Sequence, residues 1–190
     1  LRMLAQRTGV VLKREDPILR SEKNRLYDTC EYAAKIFKKN LELNPAVKNY
    51  LKKRGVMDST VRDFQIGFAP ASWDFLIKNL SARGFKKEEI ERTGLAIKSE
   101  DRSSWYDRFR NRIMFPINDA SGRVIGFGGR IFAPEARAQT NADKDADLRG
   151  SEAKYINSPQ TAIYDKSAVL YGFDKAKQEI RTKNKVVVVE

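Results

Sequence analysis

The sequence predicts an α+β fold that is mostly helical up to Gly94 and continues with short strands and one further helix from Leu95 onward. In the first half, apolar residues recur at helical spacing between N-capping residues and stop glycines. In the second half, strand-like apolar runs are separated by turn sequences such as NDASG. Hydrophobic residues make up 41% of the 190 residues, which is enough to form the core of one domain.

The first helix signal is a capping-box pattern at Asp28 and Glu31, which predicts a helix that begins there. Its apolar stripe consists of Cys30, Ala33, Phe37 and Leu41. Residues 1–25 mix charges with scattered apolar residues and a proline, so we interpret them as a linker with room for one short helix. The folded domain is therefore predicted to begin near residue 26.

Further helices are predicted between proline, serine and glycine signals. The segment NPAVKNYLKKRG places a proline in the first turn of a helix and Gly55 just after its last turn. Short helices are expected at Ser59–Phe64, after Ser72, and over residues 86–92. A last helix through FDKAKQEIR precedes KVVVVE, whose four valines are typical of a buried parallel strand.

Two hairpins are predicted after Leu95. LAIK and SSWYD flank one turn, and RIMFPI and RVIGFGGRIF flank NDASG. Pro116 lies inside the third of these strands, so we expect it at a sheet edge or a bulge. Residues 133–153 are rich in Ala, Asp, Asn and Arg and are interpreted as a polar insertion.

The composition narrows the functional classes. A net charge of +12 favours binding to nucleic acid or to an anionic membrane surface, although a merely basic soluble protein would have the same charge. One cysteine and no histidine exclude a disulfide framework and a zinc site of the usual Cys/His kind. No apolar run approaches the ~20 residues of a membrane helix. We therefore expect a cytoplasmic protein that does not bind a membrane.

The strand-rich half carries a dense set of cations around its apolar runs and its glycines. Guanidinium groups in such a set suit bidentate recognition of phosphate. The set consists of Arg108, Arg110, Arg112, Arg123, Arg130, Lys154 and Lys166. The first three follow a period of two, which in a strand places them on one face, although a solvated edge face would look the same. Gly128 and Gly129 ahead of Arg130 indicate a bulge or a close backbone approach.

These motifs resemble the bacterial replicative DNA primases of the DnaG type. The resemblance covers residues 26–190 and rests on YDRFRNRIMFPI, GRVIGFGGR, KYINSP, Lys166 followed by LYG, and VVVVE. It implies that residues 26–183 form the N-terminal subdomain of an RNA polymerase core, with 133–153 as an insertion. Residues 184–190 would be the first strand of a toprim fold, a small α/β metal-binding module, at which the chain is expected to be truncated.

The resemblance also implies roles for individual residues. The residues implied to contact the template DNA are Arg54, Arg130, Lys154 and Asn157. Those implied to hold the triphosphate of the incoming nucleotide are Arg108, Arg110, Arg112 and Lys166. Glu190 corresponds to the toprim glutamate, a catalytic residue that acts beside aspartates coordinating Mg²⁺ or Mn²⁺. Tyr155, Trp105 and Tyr106 could stack on bases, but we interpret them as core residues.

The implied function is synthesis of short RNA primers on single-stranded DNA by metal-dependent nucleotidyl transfer. The implied partners are single-stranded DNA template, ribonucleoside triphosphates and, through regions outside this chain, the replicative helicase and single-strand-binding protein at the replication fork. As a fragment that ends at Glu190, the chain is expected to be inactive alone. Three alternatives stay open: a non-catalytic single-stranded DNA-binding module, another toprim protein such as a topoisomerase or phage primase-helicase, and an RNA-binding protein.

Overall fold

The structure is a computed structural model that describes residues 17–101, 103–133 and 153–187. That part of the chain contains six helices and six strands. The helices are α1 (Pro17–Glu42), α2 (Pro45–Lys53), α3 (Asp58–Asp63), α4 (Phe75–Ser81), α5 (Lys87–Arg92) and α6 (Phe173–Lys183). The strands are β1 (Gly67–Ala69), β2 (Ala96–Lys98), β3 (Trp105–Asp107), β4 (Arg112–Asn118), β5 (Val124–Ile131) and β6 (Tyr155–Asn157).

Helix α1 begins at Pro17, so the predicted start at Asp28 is wrong and part of the predicted linker is helical. Tertiary contacts explain the longer helix. Arg25 donates two hydrogen bonds of 2.9 Å to the carboxylate of Glu89 in α5, and Leu26 is buried. These contacts hold the first turns of α1 against α5, which a capping pattern read along the chain does not show.

The main sheet has the strand order β1-β4-β5-β6 and is antiparallel throughout. The two predicted hairpins are confirmed, because β4 pairs with β5 and β2 pairs with β3. Pro116 lies beyond the end of β1, where β4 is paired on one side only, and the register shifts between Ile117 and Asn118. The proline therefore lies at a local edge beside an irregularity, as predicted.

Helices cover both faces of this sheet. The first face carries Met114 and Phe127, which belong to the core cluster containing Ala33 and Phe37 of α1. Gly67 in β1 allows the helix to come close, because a Cβ there would lie 2.5 Å from Cβ of Phe37. On the second face, the apolar stripe of α2 packs against Phe68 and Ile113 of the sheet. The whole cluster consists of Leu41, Val47, Tyr50, Leu51, Ile66, Phe68 and Ile113.

Helix α4 is capped by a distant side chain and not by Ser72, so that predicted cap is wrong. Asp107, at the end of β3, accepts hydrogen bonds of 2.7 and 3.1 Å from the backbone amides of Leu76 and Ile77. Burial raises the pKa of Asp107 to about 7, although the two amide bonds oppose the shift. This carboxylate fixes the β2-β3 hairpin to α4.

The C-terminal helix α6 is confirmed, but it begins at Phe173. Val186 and Val187 lie outside any strand of the described residues, and Val187 is 81% exposed. The predicted buried strand is thus not seen at these two valines, because none of the described strands pairs with them. Val188, Val189 and Glu190 lie outside the described residues, as do residues 134–152 of the predicted insertion. No helix in the described ranges is long and apolar enough to cross a membrane.

Candidate nucleic-acid interface

Strands β5 and β6 bring a cation, a ring and an amide to one face of the sheet. In the antiparallel register, Gly128 pairs with Asn157 and Arg130 pairs with Tyr155. Because side chains alternate between faces along a strand, Arg130, Tyr155 and Asn157 lie on the same side. Tyr155 and Asn157 are exposed, whereas Ile156 packs against the core.

Helix α2 adds a second ring and a second guanidinium to this face. Arg130 donates a hydrogen bond to the hydroxyl of Tyr50, and its guanidinium carbon lies 5.5 Å from the centre of that ring. Arg54, the C-cap residue of α2, lies 5.4 Å from the same ring centre. Tyr50 is therefore shared by two guanidinium groups, and α2 is fixed to β5.

These residues form a continuous surface that we call the cation–aromatic array: Arg54, Tyr50, Arg130, Tyr155 and Lys154. Its two outer links join Arg130 and Lys154 to the ring centre of Tyr155, each at 5.9 Å. Arg54, Lys154 and Tyr155 are exposed. Proteins that bind single strands combine cations for the phosphates with aromatic rings on which bases stack. The array has both components within one connected surface.

The hydrogen bonds of the array favour the charged form of Arg130. The hydrogen bond to Tyr50 raises the pKa of Arg130. Burial alone would raise the pKa of Tyr50, but the hydrogen bond from Arg130 and the charges of Arg130 and Arg54 bring that pKa below its ordinary value. No ion pair among the described residues includes Arg54, Arg130 or Lys154.

The side-chain amide of Asn157 lies next to Gly128. It fits at this position because glycine has no side chain. A Cβ at Gly128 would meet Oδ1 of Asn157 at 3.0 Å, which is closer than an ordinary contact. Gly129 faces the other way, and a Cβ there would meet Cδ1 of Phe109 at 2.8 Å and Cδ of Arg112 at 3.1 Å. The predicted close approach at these glycines is therefore present. The groups that come close are the side chains of Asn157, Phe109 and Arg112.

The three arginines predicted to share a strand face do not do so. Strand β4 begins at Arg112, and Arg108 and Arg110 lie in the irregular segment before it. Asn111, between them and the strand, has a φ of 50°. The prediction is wrong because this left-handed residue interrupts the alternation on which a shared face depends.

Arg112 supports the array from inside the protein. It is 1% exposed, and burial lowers its pKa. Its guanidinium donates to the carbonyl oxygens of Ala153, Lys154 and Gly129, at 3.0, 3.4 and 3.3 Å. These bonds fix the backbone at the start of β6 and so position Lys154. A direct contact between Arg112 and a triphosphate would require breaking them.

The other members of the predicted nucleotide set lie in the irregular segment before β4 and in the loop before α6. Arg110 is half-buried, and its guanidinium lies against the rings of Trp73 and Tyr106, which pack edge-on against each other. Arg108 is half-buried, and its Nε has no hydrogen-bond partner among the described residues. Lys166 is exposed in the loop before α6.

A divalent cation does not fit the described residues by themselves. Within them, no group of three or more Asp, Glu, His or Cys side chains is placed to hold a metal ion. Hard cations such as Mg²⁺ need several oxygen ligands in a fixed arrangement. The metal role of Glu190, which lies outside the described residues, stays a prediction.

Comparison with known proteins identifies the family. A family model described as the N-terminal domain of the DNA primase catalytic core matches residues 36–177. The chain belongs to this DNA primase family. The DNA primase of Pseudomonas aeruginosa is 37% identical over 196 residues, which cover 98% of this chain and 27% of that protein. The DNA primase of Deinococcus radiodurans is 36% identical over 192 residues, which cover all of this chain and 30% of that protein. The chain thus spans less than a third of these relatives.

Solved primase structures have the same fold. The RNA polymerase domain of Mycobacterium tuberculosis primase DnaG, in complex with a double-stranded DNA oligomer with a 6-nucleotide overhang, superposes with a TM-score of 0.75 and 36% identity, covering 88% of this chain and 48% of that one. A DnaG primase catalytic domain bound to single-stranded DNA superposes with a TM-score of 0.66 and 34% identity, covering 84% and 45%. These similarities confirm the predicted α+β fold and the predicted family.

Two aromatic members of the array were not predicted from the sequence. Tyr155 was interpreted as a core residue, yet it is 58% exposed. Its place between Lys154 and Ile156, two positions from Asn157, was the available signal, because a strand puts it on the face of Asn157. Tyr50 carried a weaker signal, its position four residues before Arg54 on a helix.

Proposed function

We propose that this chain forms the template-binding surface of a DNA primase, and that the full-length protein synthesises short RNA primers on single-stranded DNA by nucleotidyl transfer. The observation that carries the proposal is the exposed cation–aromatic array. The family match supports it, and it favours a primase over the topoisomerase and phage primase-helicase alternatives.

The array is better suited to a single strand than to a duplex. Its cations Arg54, Arg130 and Lys154 can neutralise backbone phosphates, which is the sequence-independent part of binding. The ring of Tyr155 can stack on a base, and bases are open to stacking where they are unpaired. The amide of Asn157, beside that ring, can donate to or accept from a phosphate, a sugar or a base edge.

The incoming ribonucleotide is assigned to a second set of cations. We propose that Arg108, Arg110 and Lys166 contact its triphosphate, since cations near a reacting phosphate stabilise the charge that develops there. Arg112 acts in a different way in this proposal. Because it is buried against backbone carbonyls, it positions Lys154 and does not touch the nucleotide.

The remaining parts of the activity lie outside the described residues. Mg²⁺ or Mn²⁺ would be held by Glu190 together with further carboxylates, so no metal-dependent step is assigned to the described residues. We place the helicase and single-strand-binding protein contacts in other regions of the longer protein, which acts at the replication fork.

Primer synthesis by two lengths of the protein tests this function. We expect no template-directed ribonucleotide incorporation by residues 1–190 and clear incorporation by a version that extends through the rest of the catalytic core. Glu190→Gln in the longer version should abolish incorporation while leaving single-stranded DNA binding intact. Incorporation by residues 1–190 alone, or full activity of the longer Glu190→Gln protein, would contradict these assignments.

A further inference from the structure

The first turns of helix α6 contact the turn between β4 and β5 through polar side chains. No residue of α6 is buried against the described part of the chain. Asn118, the last residue of β4, donates a 2.9 Å hydrogen bond from its side-chain amide to the carboxylate of Asp174. Lys177 donates one of 2.7 Å to the backbone carbonyl of Ala120. We propose that these two contacts, which we call the turn–helix clamp, position α6 and the chain that follows it for catalysis, an inference that rests on the proposed primase function.

The bond between Asn118 and Asp174 is shielded from water. The side chain of Asp174 is 8% exposed, and Oδ1 of Asn118 is buried with no hydrogen-bond partner among the described residues. Water therefore cannot readily replace the amide as a donor to the carboxylate. Lys175 also pairs with Asp174, at 3.5 Å, but it belongs to α6 and cannot fix the helix to the sheet. Asn118 is thus the partner that sets where the carboxylate lies.

The turn that forms the sheet side of the clamp is itself fixed. The carboxylate of Asp119 accepts hydrogen bonds of 2.8 and 3.0 Å from the backbone amides of Ser121 and Arg123. The guanidinium carbon of Arg123 lies 3.9 Å from the ring centre of Tyr27 in α1. The turn is therefore held by its own hydrogen bonds and by α1, so it can serve as a rigid support for α6.

The length of α6 makes its angle important. The rings of Phe64 and Tyr171, stacked at 6.1 Å, hold the chain just ahead of the helix and so provide a point about which it can turn. The helix has 11 residues, so a tilt of about 10° would move its last turn by about 3 Å. Asn184, with a φ of 47°, ends the helix, and Glu190 follows six residues later. A misplacement of about 1 Å can slow a reaction about 100-fold.

The clamp also relates α6 to the template-binding surface. Strand β5 runs from Val124, beside the turn, to Ile131. Arg130 of the cation–aromatic array lies six residues after Val124, about 20 Å along the strand. The β4–β5 hairpin thus carries the array near one end and the clamp at the other. In this proposal, Asn118 and Asp174 are positioning residues that hold the chain after α6 at a set place relative to the template.

Exchanging the two groups tests the clamp. Asn118→Asp removes the donor and places two carboxylates against each other, whereas the double variant Asn118→Asp with Asp174→Asn puts the donor on α6 and the acceptor on β4. Glu179→Ala is the matched control, because it breaks an ion pair of 2.7 Å with Lys183 that lies within α6 itself. Far-ultraviolet circular dichroism confirms that each variant is folded.

The position of α6 is measured first, in residues 1–190 and without any activity. Spin labels are attached to Lys38→Cys in α1 and Arg181→Cys in α6, two exposed positions, while the native Cys30 is buried. Asn118→Asp should broaden or shift the distance distribution by about 3 Å. The double variant and Glu179→Ala should keep the narrow wild-type distribution. An unchanged distribution in Asn118→Asp would overturn the clamp.

Primer synthesis is then measured in the version that extends through the catalytic core. Asn118→Asp should lower kcat at least about tenfold with little change in KM for the template, because the array is intact, and the double variant should recover most of the rate. An unchanged kcat despite altered distances would overturn the positioning role, as would equal losses in kcat and template affinity. No synthesis by the unmodified longer version would instead overturn the proposed function, and the distances would still show whether the clamp holds α6.

Discussion

Replacing Arg130 by alanine should weaken binding of single-stranded DNA and reduce its dependence on salt. Arg130 is the central member of the array, because it donates to the hydroxyl of Tyr50 and lies within 5.9 Å of the ring centres of Tyr50 and Tyr155. Its removal would take away one proposed phosphate contact and the cation–π contacts to both neighbouring rings.

The number of cations in the array determines how strongly DNA binding depends on salt. Each phosphate neutralised on a single strand contributes about −0.7 to the slope of log K against log salt. Three cations, Arg54, Arg130 and Lys154, therefore predict a slope of about −2.1, and the variant should show about −1.4. Between 50 and 200 mM salt, the wild type should lose about 18-fold in affinity and the variant about sevenfold.

The assay is fluorescence anisotropy of a labelled dT oligonucleotide across a salt series. Lys35→Ala is the matched control, because it removes the same charge from α1, where Lys35 pairs with Glu31 at 3.4 Å. Its slope should equal that of the wild type. Arg130→Lys should keep the slope but bind more weakly, since lysine does not reproduce a planar fork. The reasoning fails if Arg130→Ala retains the wild-type slope, or if Lys35→Ala lowers the slope as much.

The remaining predictions concern the scaffold. Gly67→Ala should destabilise the protein by more than about 2 kcal/mol in urea unfolding, because its Cβ would meet the backbone of α1 at Phe37; Gly122→Ala, with open space but a φ of +86°, should cost about 1 kcal/mol. Arg112→Ala should cost about 3 kcal/mol and weaken DNA binding and primer synthesis together; a loss of synthesis with unchanged binding and stability would instead indicate a nucleotide contact. The raised pKa of Asp107 means that its stabilising contribution is complete below pH ~4 and is lost as pH rises to about 7. Relative to Asp107→Asn, wild-type stability should therefore fall over that range, and a constant difference would contradict the assignment.

The fold was predictable where local signals and tertiary contacts agree. The hairpins follow from turn residues between apolar runs, and α2 follows from Pro45 and Gly55. Helix α1 was predicted too short because ion pairs with α5 hold its first turns. The cap of α4 was missed because the capping carboxylate, Asp107, is 31 residues away from the amide of Leu76.

The sequence indicated which cations belong to the candidate site, but it indicated their spatial arrangement less well. Arg130 and Lys154 meet in one array with Arg54, although Arg54 lies far from them in sequence. The period-two pattern before β4 gave the wrong arrangement, since the positive φ of Asn111 leaves no trace in hydrophobic periodicity. The exposure of Tyr155 depends on which strand lies at the sheet edge, and that is a property of the assembled sheet.

The hydrogen bond between Arg130 and Tyr50 has a consequence for how the protein tolerates change. It makes one contact surface out of two separately packed units, the sheet edge and α2. The position of Tyr50 depends on the buried side chains of Val47 and Leu51 beneath it. A substitution that merely tilts α2, such as a smaller residue at Val47, will therefore move a guanidinium and a ring out of register with β6. In the proposed function, DNA binding therefore depends in part on the buried hydrophobic cluster that supports α2.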